Sequence, residues 1–185
     1  MPPRAAPSDY QSQGKAGALT LGADFVGHFV PTPQGNLTTE DYVVVEVGIF
    51  GPPDANIKLF PDSFSLRVNG KKAPLPGQPY GMVFRSLKDP EWQPPTPPEK
   101  SKTNITGGPT GGGKDDSPPP PVHIPIEVQR AMQQRIQKAS LPEGDRTLPL
   151  AGLLFFQYSG KTDGIRSIEL IYNSPAGNVS VAIQP

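Results

Sequence analysis

The chain has 185 residues, of which 26 are proline and 20 glycine, with 17 basic against 17 acidic side chains and no cysteine. That length supports one domain with a real core, and the balanced charge gives no field to draw the chain to nucleic acid or to an anionic membrane. The lack of cysteine excludes disulfides, thiolate nucleophiles and cysteine-ligated zinc, and no run reaches the roughly 18 to 20 consecutive apolar residues that span a bilayer as a helix.

Residues 1–17 carry no hydrophobic period and predict a flexible leader of Pro, Ala, Ser and Gln, with no apolar signal segment inside it. Leaders of this composition sit directly after a cleavage site or lipid anchor, so the expected location is extracytoplasmic (periplasmic, secreted or lipid-anchored), with the cytoplasm as the alternative. Residues 18–185 then predict a single β domain. Over 18–30, Leu19, Leu21, Ala23 and Phe25 alternate with polar or small residues, the period of a half-buried strand. Residues 31–39 predict a turn-rich link. The strongest strand is 41–50, where Val43, Val45, Val47 and Ile49 form one face and Tyr42, Val44 and Phe50 the other, so it is expected at the centre of a sheet.

A short strand over 56–60 is stopped by Pro61, and Phe64, Leu66 and Val68 alternate up to Asn69-Gly70, the strongest short hairpin signal, with a return over 71–75. A further strand is predicted over 81–87 with Met82 and Phe84 on one face. Residues 88–121 are a Pro/Gly-rich tract that cannot bury enough apolar surface to offset chain entropy, and they predict a loop or disordered insertion. Within 122–144 lies the only convincing helix: Ile124, Val128, Met132 and Ile136 recur every four residues, a stripe expected to lie against the rest of the chain. The β pattern resumes over 148–158, 165–172 and 178–183, the last two joined as a hairpin through 174–177. Seven or eight short strands at this spacing, with no crossover helices between them, predict an all-β fold, an immunoglobulin-like antiparallel β-sandwich with one inserted α-helix and a Pro/Gly-rich loop.

The strand Asp41-Tyr42-Val43-Val44-Val45-Glu46-Val47, the run from Phe60 to Lys71, and the pair Gly152–Phe156 and Ser167–Tyr172 resemble the exported immunoglobulin-like β-sandwich modules of bacteria, some of them lipoproteins, whose function is unknown. The resemblance covers the β portions alone and brings no active site with it. It implies a non-enzymatic module of the cell envelope whose partner is a protein or a polysaccharide, with no cofactor.

Several motifs suggest chemistry and fail on context. Gly108 to Lys114 has the spacing of a phosphate-binding loop, yet Asp115 stands where a hydroxyl should hold magnesium, and Pro118-Pro119 cannot open the required helix. Ser12 and Lys15 match Ser-x-x-Lys by letters only. His28 and His123 are the only imidazoles, and a hydrolase using either with a carboxylate is the second alternative function. Two histidines without cysteine or a dense acidic cluster make no specific metal site. Asn36, Asn104 and Asn178 head glycosylation triplets, and 95–100 has the composition of a polyproline II spacer. Tyr80, Arg85 and Trp92 flank the start of the tract and are the candidate contacts for a partner, with Trp92 and Tyr80 the pair expected to grip a sugar if the chain is a carbohydrate-binding module, the first alternative.

Overall fold

The computed structural model describes residues 1–93, 124–175 and 177–185. In chain order its strands are β1 (Ser12–Ala16), β2 (Leu19–Gly27), β3 (Phe29–Thr32), β4 (Gly35–Thr39), β5 (Tyr42–Phe50), β6 (Asn56–Leu59), β7 (Phe64–Val68), β8 (Leu75–Gln78), β9 (Leu87–Lys88), β10 (Gly144–Thr147), β11 (Leu150–Gln157), β12 (Ile168–Ser174) and β13 (Gly177–Ile183). Among the described residues two α-helices accompany them, α1 (Tyr80–Val83) and α2 (Ile126–Ala139). Eight strands form one antiparallel series in the order β1-β2-β5-β11-β8-β7-β12-β13. The antiparallel β class read from the sequence therefore holds, but in place of two separate sandwich sheets the strands run as one series, continuous through the short strand β8, which pairs with β11 at Gln78 and Gly77 and with β7 at Pro76 and Leu75.

The series nearly closes into a barrel. Its last strand returns beside its first: a Cβ on Gly14 of β1 would lie 2.6 Å from Val179 and 2.7 Å from Val181 of β13. The alternation explains the interior, because inward residues of every strand share one cluster, among them Leu21, Val45, Val47, Phe64, Leu66, Leu154, Phe156, Leu170 and Val181. The central position of β5 follows from its sequence. Its second face, with Tyr42 and Val44, joins Leu153 and Phe155 of β11 and Met132, Ile136 and Ala139 of α2 in a separate outer cluster, so α2 buries its stripe against the barrel's outside. The Asn69-Gly70 turn has positive φ at both residues, 52° and 66°, as a type I′ turn requires.

Four expectations are corrected. The expected leader is built into the fold, since β1 pairs with β2 from Ser12↔Ala23 to Ala16↔Leu19; only Ala16 of this strand is buried, so backbone pairing holds it with no hydrophobic pattern to announce it. The link over 31–39 is largely strand: β3, β4 and β9 make a small sheet of their own. The strand predicted over 81–87 is α1 followed by a 3₁₀ turn at Phe84–Ser86, because the buried residues are Val83 and Leu87, four apart, while Met82 is exposed. Gly144, the expected end of the helical insertion, opens a strand that the sequence reading does not predict, β10, paired with β6 from Gly144↔Leu59 to Thr147↔Asn56.

One interior group stands out chemically. Tyr172 is fully buried, its ring 4.7 Å from that of Phe64, and its hydroxyl has no hydrogen-bond partner among the described residues. A buried donor without a partner costs roughly 1–3 kcal/mol, so Tyr172→Phe is expected to raise stability by about 1 kcal/mol in denaturant unfolding. A loss of stability in that variant would mean that the hydroxyl is bonded.

Candidate functional site

Helix α2 ends where Ser140 donates its backbone N–H to the Ile136 carbonyl at 2.9 Å and its hydroxyl to the same oxygen at 2.6 Å. Leu141 then donates its N–H to Leu153 of β11 at 3.0 Å, Pro142 bars further helix, and Gly144 at φ 83° turns the chain into β10. This path leaves a cleft of about 550 Å³ between α1, the last turn of α2, β10 and the start of β11. Tyr80 forms one side. Gln137, Lys138, Glu143 and Arg146 present polar heads around it, Pro142 and Pro149 supply rigid walls, and Met1 and Pro3 of the N-terminal segment close one end.

Among the described residues the side chains of Tyr80, Gln137, Lys138, Glu143 and Arg146 make no hydrogen bond or ion pair, whereas Arg4, Arg67, Lys88 and Arg135 are all engaged with carboxylates. A half-buried aromatic ring beside convergent, uncommitted donors and acceptors suits a polar ligand with one flat face.

Of the expected contact residues, only Tyr80 lines this cleft. Arg85 is exposed on the 3₁₀ turn after α1, and Trp92 is half-buried beyond β9, its backbone N–H donated to the Asp89 carbonyl at 3.2 Å. The cleft residues that sequence reasoning missed, Gln137, Lys138, Glu143 and Arg146, are ordinary surface types with no spacing that marks them.

His28 serves as a bracket. Its Nδ1 lies 2.7 Å from the Tyr42 carbonyl and its Nε2 2.9 Å from the Gly160 carbonyl, and its ring stacks 6.5 Å from that of Tyr158. Both ring nitrogens lie within hydrogen-bond distance of backbone carbonyls, so the imidazole is turned toward the protein and not toward the adjoining cleft. A shallow cleft of about 350 Å³ opens beside it, with Phe29 exposed at its rim and Glu40 nearby; the hydrogen bond from Lys88 holds the Glu40 carboxyl below the usual range. Ser12 and Lys15 are three apart in β1 and so point to opposite faces. His123, Asn104, the glycine-rich 108–114 motif and the 95–100 segment lie outside the described residues.

Compared with protein-family models, with curated proteins and with solved structures, the chain matches none.

Proposed function

We propose that this chain is a non-enzymatic binding module working outside the cytoplasm, of the immunoglobulin-like kind its sequence resembles, and that it holds a polysaccharide in the Tyr80 cleft. One observation carries the reading: a partly exposed tyrosine ring stands beside two cations, a carboxylate and an amide, none of them committed elsewhere among the described residues. A ring gives a sugar its stacking face, and the flanking groups take its hydroxyls. Lys138 and Arg146 outnumber Glu143, so acidic glycans bind more tightly than neutral ones, and the difference shrinks with added salt. The occupied nitrogens of His28 support a role without catalysis.

Calorimetric titration against soluble acidic and neutral polysaccharides tests this. Binding is expected for the acidic series, with a loss of about tenfold or more in Tyr80→Ala and in Arg146→Ala, the second substitution being at an exposed residue that leaves folding intact. Absence of binding to every polysaccharide, or binding that both variants keep in full, would overturn it.

A further inference from the structure

Between Pro2 and Gln11 the chain makes no backbone-to-backbone hydrogen bond to the barrel among the described residues, only local ones that fold a 3₁₀ turn at Pro7–Asp9. It is held as a bound peptide is held, by side chains seated on a prepared surface. That surface is the outer face of β2 and β5. Asp24 and Glu46 stand directly opposite each other across the two strands, a like-charge pair that is unfavourable alone. Arg4 answers both, with Nη2 2.6 Å from Asp24 and 3.1 Å from Glu46, and the Gln11 N–H donates to the Asp24 carboxylate.

Two residues along, Gly22 and Gly48 are also directly opposite, giving a floor without side chains. The Tyr10 ring covers both, and a Cβ on either glycine would overlap it. Tyr10 is 5% exposed, sits edge-on to Phe50 at 6.0 Å, and carries the Arg4 guanidinium 4.4 Å from its ring centre. Burial first, and the nearby carboxylates after it, keep its phenol protonated above the usual range. Carboxylate pair and glycine floor are thus a charge-and-shape match to an arginine followed six positions later by a tyrosine.

We infer that this face is a recognition site for a short segment bearing that arginine and tyrosine, filled here by the chain's own N-terminal segment and able to take the same segment from a second copy. Occupation in cis masks the site, because the tethered segment competes at high effective concentration. Since the hold is by ion pairs, one ring, the Gln11 hydrogen bond and that of the Met1 ammonium to the Lys138 carbonyl at 2.9 Å, with no sheet pairing, release frees a face with two uncompensated carboxylates.

The test uses the full chain carrying Arg4→Ala and Tyr10→Ala, with a fluorescent peptide of residues 1–11 followed by anisotropy. The peptide is expected to bind this variant at least tenfold more tightly than it binds the wild-type chain. The advantage is lost when Glu46→Gln is added to the chain, or when the peptide itself lacks its arginine and tyrosine. If the double variant does not fold, the single variant Arg4→Ala replaces it and is again expected to bind more tightly than wild type. Equal binding to wild type and variant, or binding indifferent to the peptide's arginine and tyrosine, would overturn the assignment.

Discussion

Replacing Arg135 by methionine is expected to cost about 3–5 kcal/mol and to lower the melting temperature by roughly 10 °C. The guanidinium of this α2 residue lies 2.7 Å from Asp89, donates through Nε to the Thr32 hydroxyl at 3.1 Å and through Nη2 to the Gly35 carbonyl at 3.0 Å. Both partners of the ion pair are largely withdrawn from water, with side chains 13% and 14% exposed, so removing the cation strands a carboxylate in a dry place. Surface ion pairs contribute little, but a desolvated one broken from one side is costly. The same residue ties α2 to the β3–β4 hairpin and to the chain leaving β9, so the outer cluster loosens with it. Asp89→Asn added to Arg135→Met is expected to recover most of the loss in urea unfolding. Arg135→Lys is not expected to rescue, since an ammonium cannot match the planar fork that reaches Asp89, Thr32 and the Gln34 and Gly35 carbonyls together. A cost below about 1 kcal/mol for the methionine variant would show that the pair is solvated.

Gly152→Ala is the second large effect, expected to cost about 3 kcal/mol. Here the restriction is space and not φ. A Cβ at this position of β11 would meet backbone atoms of Ser140 and Leu141, with the Ser140 carbonyl carbon 2.7 Å away, and backbone cannot swing aside as a side chain can. The displaced stretch is the one that bridges Leu153 in parallel and donates the Leu141 N–H to it, so one sheet hydrogen bond is lost along with the packing. Because the same stretch carries Pro142 and Glu143 into the cleft, the proposed polysaccharide affinity is expected to fall together with stability. Gly81→Ala is the control, because nothing lies within 4 Å of the added carbon there, and its effect is expected within about 0.5 kcal/mol. Equal thermal stability of the two variants would contradict the close approach of the Ser140–Leu141 backbone to Gly152.

The parts legible in the sequence are those where burial is strong and periodic. Strand β5 declares both faces because one meets the barrel interior and the other meets α2, and the stripe of α2 from Val128 to Ile136 shows which side it packs. Strands β1 and β10 are hidden for the opposite reason: Ser-Gln-Gly-Lys-Ala and Gly-Asp-Arg-Thr pair by backbone with little buried, and backbone pairing leaves no mark on side-chain pattern. The α1 region misleads because Met82 and Phe84 alternate, although the buried pair Val83 and Leu87 is helical in spacing. The glycines at 22 and 48 look like weak points in strands, yet they are the seat of Tyr10, a residue more than ten positions earlier. Of the cleft, Tyr80 stands out in the sequence for its chemistry, but its companions come from α2, the turn after it and β10, and only the fold brings them together.

Residue-resolved amide shifts during titration of the full chain with the tightest-binding acidic polysaccharide show which surface takes the ligand. Perturbations are expected to be confined to Tyr80, Gln137, Lys138, Glu143 and Arg146 and their neighbours, fading as salt is raised. Shifts gathered instead around Arg85 and Trp92, or around His28 and Phe29, would contradict it.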